Sequence, residues 1–548
     1  MADWSTLKPI EATTLGDLLL RSAQRHPDCD ALVFPDGALT YGQLWQAAVR
    51  RARALHALGI GPGDHLGILL PNCPEYIELL LGTVLCGAVA VPINARNRAA
   101  ELAYVVENAD LTGLVTSDAI SEYADFGGLL EAAFSELSRA DDALALALPG
   151  APRLRFVVML GAPRAGFVSE EVFDAATEQV TEEKILALRS SVRISDHCIM
   201  MYTSGTTAHP KGCPMSHENL VRNGINMNRQ RYLLTEQDRF WTPLPMFHMS
   251  SILPMVCCFD AGAALLSMRR FEAGAALEML ERERATVAFP SFPTVTNDLI
   301  SHPDFARRDL SRIRRLNNVA PVDVLRRFQE AFPQAVQTSA YGLTEAAGVI
   351  AFNHPDEDLD HRLTTCGVPF SGITLRITDP DFDDRELGAG ERGELWIRGY
   401  AVFEGYYRAP EKNAEAFACG WFRTGDLCSV DAEGAIAFHG RIKDMLKVGG
   451  ENVAAVEIES HLQTHPAIKF AQVIGVPDPR LQEVAAAYVE LHEGEVLSEE
   501  SVIEHCRGQM AGFKVPRYVR FVTAWPMSAT KVQKHRLRAA FAVEPAEG

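Results

Sequence analysis

The chain reads as an α/β protein with more than one domain, and two observations lead there. Its 548 residues exceed what a single hydrophobic core ordinarily encloses. From residue 14 to residue 116, short apolar runs alternate with amphipathic segments, the rhythm of βαβ units around a mainly parallel sheet. Apolar residues at three- and four-residue spacing predict helices over 14–25, 41–58, 75–87 and 99–108. Turn-bounded apolar runs predict strands over 31–34, 65–70, 88–92 and 113–116. The stretch 117–160, rich in Ala and Asp, is expected to be mostly helix and loop. Further on, 198–202 reads as a buried strand, 218–228 as a helix, 241–250 as a strand ending in an aromatic and a histidine, and 287–294 as an apolar run before a helix.

Composition narrows the function. Hydrophobic residues at 47% and charged residues at 22% are those of an ordinary globular protein. A net charge of −19 argues against general nucleic-acid binding, so a polyanionic ligand must be held by local basic groups against the average field. The eleven cysteines show no Cys-x-x-Cys spacing, which points to buried thiols rather than a zinc or thioredoxin-like site. No secretory signal, peroxisomal tripeptide or membrane span is expected, because the most apolar window, 252–268, is short and contains Asp260. Cytoplasm is the expected location, and self-association as a homodimer stays open.

The segment 201–212 carries the chemistry. After the buried strand come four hydroxyls (Thr203, Ser204, Thr206, Thr207), Gly205 and the ammonium of Lys211. These are the donors and the charge that a polyphosphate needs. It is no Walker A motif, because Lys211 precedes Gly212 and no Gly-Lys-Ser/Thr occurs.

This segment resembles the phosphate-binding signature of the adenylate-forming superfamily, with Ala208 where Gly is usual. Further stretches carry the resemblance in order: Tyr341-Gly342-Leu343-Thr344-Glu345, the run Glu394 to Gly399 continuing to Gly405-Tyr406-Tyr407, Trp421 to Leu427, Gly440-Arg441-Ile442-Lys443-Asp444, and Pro526 to Arg538 around Lys531. Taken whole, the chain looks most like bacterial acyl-CoA synthetases of the medium-chain or carnitine/crotonobetaine-ligase type. The resemblance implies a large multi-subdomain N-terminal α/β domain, 1–440, and a small mobile C-terminal α+β lid, 441–548, hinged at Lys443.

The same resemblance implies residue roles. Thr203, Ser204, Gly205, Thr206, Thr207 and Lys211 would hold ATP phosphates. Ala320, Tyr341, Gly342, Thr344, Asp426 and Arg441 would hold the nucleotide, with Asp426 on the ribose diol. Glu345 would hold Mg²⁺, Lys531 would be the catalytic lysine, and His248 would border the substrate carboxylate. Gly449, Gly450 and Glu451 would meet coenzyme A, while Phe247, Ile252, Phe292, Asn318 and Val319 would wall the acyl pocket. Asn318 and Val319 stand where smaller residues are usual, and are expected to narrow that pocket. Thr530 replaces the usual Gly before the lysine, and the sequence His248-Met249-Ser250-Ser251 disfavours amino acids as substrates.

The implied activity is ATP-dependent acyl-CoA ligation: a carboxylate, deactivated by its own charge, becomes an acyl-adenylate with loss of pyrophosphate, and the CoA thiol then displaces AMP. The implied substrates are a small-molecule carboxylic acid, ATP and coenzyme A. Three alternatives stand beside it: an acyl-AMP ligase serving a separate carrier protein, a luciferase-like oxygenase sharing the first step, and a nucleotide-binding pseudoenzyme. The run Gly388-Ala389-Gly390-Glu391-Arg392-Gly393 fits Gly-x-Gly-x-x-Gly, but it is read as a hairpin turn because a strand follows it and none is expected before it.

Overall fold

The computed structural model describes residues 13–203, 210–380, 382–448, 451–527 and 531–543. Two seven-stranded sheets dominate it. The first runs, in spatial order, Val168–Ser169, Phe156–Leu160, Gly113–Ser117, His65–Leu69, Val89–Pro92, His197–Thr203 and Lys211–Ser216. The second runs Val336–Thr338, Arg315–Asn318, Val287–Ser291, Arg239–Trp241, Ala264–Leu266, Asp30–Phe34 and Gly37–Thr40. Neighbours are parallel in both, except for the last strand of each, which returns antiparallel. Strands covered on both faces read as continuous apolar runs, which is why Gly113–Ser117 and Phe156–Leu160 are buried at every residue.

Helices Leu15–Arg25, Tyr41–Ala57, Pro74–Leu85, His217–Met227 and Met249–Ala261 contribute to one buried cluster that joins the two sheets. Their starts are legible locally. Thr14 accepts from the Asp17 N–H at 3.1 Å, and Thr40 with Gln43 and Ser216 with Asn219 form capping boxes. Smaller antiparallel sheets, one of three strands and one of six, follow the second large sheet.

Beyond Arg441 the chain builds a separate unit. Strands Glu451–Ala454, Met445–Val448, Gln482–Leu491 and Ile468–Asp478 pair in that order, and Tyr518–Phe521 joins Gln482–Leu491. Helices Ala455–Leu462, Glu499–Cys506 and Lys534–Val543 cover this sheet, and its apolar side chains form clusters of their own. Among the described residues no helix is long and apolar enough to cross a membrane.

The structure corrects several local expectations. Phe156–Leu160 is a strand of the first large sheet, at the end of a stretch expected to be mostly helix and loop. Strand Arg239–Trp241 ends early, because Pro243 and Pro245 cannot continue the ladder, and His248 is instead the N-cap of helix Met249–Ala261. The charged run 382–386 is a strand, Phe382–Glu386, on the edge of its sheet, where polar side chains are tolerated on both faces. Gly388 to Gly393 therefore does not close a hairpin. It joins Phe382–Glu386 to Gly393–Gly399, which lie on opposite sides of Ile373–Asp379.

Candidate active site

Strand His197–Thr203 delivers the phosphate-loop segment, and Thr203 pairs in register with Lys211 on the returning strand. Ser204, Gly205, Thr206, Thr207 and Ala208 lie outside the described residues, as do Gly449, Gly450 and Thr530. Glu451 begins a strand that pairs with Met445–Val448.

Tyr341 lies on strand Ala340–Leu343, and Glu345 on the single turn after it. A Cβ at Gly342 would come within 2.0 Å of the Gly348 carbonyl oxygen, so this crossing of two backbones requires glycine. Asp426 lies on strand Trp421–Val430, directly after Gly425, whose φ of +70° bends the strand. The buried Glu394 holds that bend by accepting from the Gly425 N–H at 3.1 Å and from Arg423. Asp426 is thereby aimed inward and is only 3% exposed. Its Oδ2 accepts from the Tyr341 hydroxyl at 2.7 Å, and its Oδ1 lies 3.1 Å from Arg441 Nε, its register partner on the next strand. Oδ1 nonetheless receives no well-directed hydrogen bond among the described residues. A buried carboxylate oxygen so placed fits a donor such as a ribose hydroxyl.

The lid brings Lys531 to this group. On the flanks of Lys531, Met527 pairs with Val532 in a bridge, and Gln533 N–H donates to the Pro526 carbonyl at 2.7 Å. Immediately after, Lys534 Nζ lies 2.6 Å from the buried Glu459, which also accepts from Val473 N–H. Lys531 is exposed as a residue, while the charged groups of Arg441, Asp426, Glu345 and Lys443 crowd its ammonium. The Arg441 guanidinium, and then burial, push its ammonium down to about 8, against the opposing pull of Asp426 and Glu345. Lys443 is lowered by burial and by Arg441, with Lys211 also within reach. Arg441 is raised, chiefly by Asp426. Lys531 and Lys443 thus both feel the charges of Arg441 and Asp426, with Glu345 acting on the first and Asp444 and Lys211 on the second, a concentration of cations and carboxylates in a strongly acidic protein.

His248 stands at the other side. Burial, then the charge of Lys531, pushes it down to about 4, so it is a neutral imidazole at physiological pH. Its Nδ1 faces the Ser250 hydroxyl at 2.6 Å. The proline-bearing segment before it is pinned by the buried Asn72, which donates to the Leu244 carbonyl and accepts from Met246 N–H. Ser291 has a φ of +60°, a strained conformation that turns the chain out of its strand at Phe292. The Phe292 ring comes 6.5 Å from that of His248. Val319, 43% exposed, is tied to the Ser291 carbonyl through its N–H at 2.8 Å. Phe247 is half-buried and Ile252 is fully buried.

Asn318 is wholly buried, accepts from Thr296 at 2.6 Å and donates to Gln337 at 3.0 Å, so its amide is held inside the sheet layer. Ala320 and Thr344 are half-buried on the segments that also carry Val319 and Glu345.

Sequence reasoning assigned no role to Tyr406. Its hydroxyl donates to Glu345 Oε1 at 3.0 Å, and the Lys211 ammonium lies 3.8 Å from its ring centroid. The available signal was its place in the Gly405-Tyr406-Tyr407 run. Asn72, which acts through contacts distant in sequence, left no signal, and Glu394 was marked only as the first residue of the run to Gly399.

An adenylate-forming enzyme fold, with a large N-terminal and a small C-terminal domain, is the class that this architecture defines. Residues 19–407 match the family model described as AMP-binding enzyme, and residues 457–531 match its C-terminal domain. The protein YngI of Bacillus subtilis (strain 168), named provisionally as an acyl-CoA synthetase, is 34% identical over 537 residues, covering 96% of each chain. The mitochondrial medium-chain acyl-CoA ligase ACSF2 of Rattus norvegicus is 32% identical over 543 residues, covering 96% of this chain and 87% of the relative. Among solved structures, the anthranilate CoA ligase AuaEII in complex with anthranoyl-AMP superposes with a TM-score of 0.84 at 28% identity, covering 98% of this chain and 99% of that one. The chain belongs to the AMP-binding enzyme family of adenylate-forming ligases, among the acyl-CoA synthetases.

Proposed function

We propose that this ligase activates a fatty, aryl-alkanoic or other bulky apolar acid with ATP and passes the acyl group to the thiol of coenzyme A. The observation that carries this reading is the meeting of Lys531, Arg441, Lys443 and Lys211 with Asp426 and Glu345 in one chamber. Two anions, a carboxylate and the α-phosphate of ATP, must be brought together there, and cations at the reacting oxygens lower that barrier.

In this reading Lys531 bridges the carboxylate and the α-phosphate, where charge moves in the transition state. Asp426 accepts from the ribose hydroxyls, and Lys211, with Thr206 and Thr207, grips the outer phosphates. Glu345 suits Mg²⁺, since a half-buried carboxylate beside a phosphate-binding lysine is the usual protein share of such a site. The bound ion would supply charge neutralisation between the phosphates. His248, neutral and lodged against Phe292, suits the border between the carboxylate and an apolar tail. Phe247, Phe292 and Val319 offer aromatic and aliphatic surface for that tail.

The second half-reaction needs Lys531 withdrawn and a path opened for pantetheine. We assign the large domain to 1–440 and the lid to 441–548, with rotation about Lys443 bringing Gly449, Gly450 and Glu451 toward the thiol. All eleven cysteines are free and nine are buried, which fits a reducing compartment such as cytoplasm.

The test is pyrophosphate release across fatty, aryl-alkanoic, aromatic and betaine acids, with and without coenzyme A. Acyl-CoA formed from one apolar class supports the reading. Adenylate without thioester would redirect it to a carrier protein.

A further inference from the structure

We propose that Tyr406 is a positioning residue that fixes the metal-holding carboxylate and the phosphate-binding lysine relative to one another, an inference that rests on the roles just given to Glu345 and Lys211. One buried side chain makes both contacts: its hydroxyl donates to Glu345 Oε1 at 3.0 Å, and its ring face receives the Lys211 ammonium at 3.8 Å from the centroid. The second distance is well inside the range of a cation–π contact. With Oε1 engaged, rotation of the carboxylate is restricted and Oε2 is the oxygen left to face a cation. With its ammonium seated, the long Lys211 chain gives up less rotamer freedom when phosphate arrives.

The backbone around Tyr406 reinforces the same pair. Phe403 N–H donates to the Glu345 carbonyl at 2.9 Å, and Tyr407 N–H donates to the Gly212 carbonyl at 2.8 Å, so this loop is stitched to both segments that it aligns. Tyr406 is itself held from behind. Its N–H donates to Asn413 Oδ1 at 2.7 Å, Asn413 Nδ2 donates to its carbonyl at 3.0 Å, and its ring packs edge-on against Phe403 at 4.9 Å. Burial and the neighbouring Glu345 keep the phenol protonated, and hence a donor.

The two contacts separate by substitution. Tyr406→Phe keeps the ring and loses the hydroxyl; Tyr406→Leu loses both. Calorimetric titration of ATP, once in EDTA and once in Mg²⁺, reads each contact without turnover. For Tyr406→Phe the affinity in EDTA is expected to stay within about twofold of the parent, while the gain on adding Mg²⁺ falls about tenfold. For Tyr406→Leu the affinity in EDTA also falls, by about three- to tenfold, as the lysine loses its seat. Glu345→Gln is the control for the underlying metal reading and should remove the Mg²⁺ gain with Tyr406 intact.

If Glu345→Gln removes that gain and both Tyr406 variants behave as the parent, the positioning role is overturned. Equal losses in EDTA and Mg²⁺ for Tyr406→Phe, with a lowered melting temperature, would also overturn it and leave a packing role. A Mg²⁺ gain unaffected by Glu345→Gln would overturn the metal half, and the lysine half would still be decided by Tyr406→Leu against Tyr406→Phe in EDTA.

Discussion

Raising the pH should switch off adenylate formation far earlier than an ordinary lysine would allow, and Arg441 should set where this happens. Arg441 and burial lower Lys531 from its usual 10.5 to about 8. An ammonium titrating at about 8 is about nine-tenths protonated at pH 7 and about one-tenth at pH 9, whereas one at 10.5 stays almost fully charged at both. If the protonated lysine carries the step, kcat/KM for acid-dependent pyrophosphate release falls about tenfold between pH 7 and pH 9. Arg441→Gln removes the largest cause of the depression, so the falling limb moves to higher pH, stopping short of 10.5 because burial remains. Bound triphosphate adds negative charge, so the limb in kcat should lie above that in kcat/KM. The sign carries over to stability. Between about 8 and 10.5 the unfolded chain holds the extra proton, so the charged lysine weakens the fold below this window and stability rises with pH across it. The assay is a pH series of initial rates on parent and variant, with circular dichroism confirming folding at each pH. A limb that does not move in Arg441→Gln, or that persists unchanged in Lys531→Arg, would refute the reasoning.

Other expectations follow from the same contacts. Lys531→Ala should slow adenylation by at least about a hundredfold while sparing thiolysis of a supplied acyl-adenylate, as read by single-turnover mass spectrometry; equal loss in both steps would contradict the assignment. Lys469 of the lid lies 3.7 Å from Asp298 of the large domain, and burial raises Asp298 while Lys469 opposes the shift. Asp298→Asn should slow adenylation by about two- to fivefold without slowing thiolysis, because an exposed latch contributes modestly. His248, held near 4, should give no titration near pH 6.5, so kcat/KM stays flat from pH 6 to 7 in the same pH series, and a step there that vanishes in His248→Ala would contradict this. Asp260, 2% exposed, pairs with Arg21 and Arg229 and accepts from Asn228, so Asp260→Ala should cost about 3–5 kcal/mol in urea unfolding.

Much of this site was legible because its chemistry is local. Thr203 and Lys211, Tyr341 and Glu345, and Asp426 and Arg441 sit on or beside the short motifs that the sequence presents; strand register joins the first and last of these pairs, and Tyr341 and Glu345 lie on one strand and the turn after it. Direction was harder to read than position. Asn318 sits in the expected segment, but its bonds to Thr296 and Gln337, 22 and 19 residues away in sequence, could not be read from the local pattern. Strand Phe156–Leu160 was lost because its five apolar residues follow a long Ala- and Asp-rich stretch. Edge strand Phe382–Glu386 was lost because its place at the rim of the sheet relaxes the apolar pattern that marks interior strands. Tyr406, Glu394 and Asn72 hold partners 29 to 195 residues away in sequence, distances that no local pattern spans.

The central claim is that this chamber joins a carboxylate to AMP before a thiol receives the acyl group. The direct measurement is mass spectrometry of a single turnover with ATP, Mg²⁺ and the best acid from the panel, quenched with and without coenzyme A. The account predicts enzyme-bound acyl-AMP with one pyrophosphate released when coenzyme A is absent, converted to acyl-CoA and AMP when it is added. ADP and phosphate as the products, or acyl-CoA formed with no adenylate at any time, would contradict it.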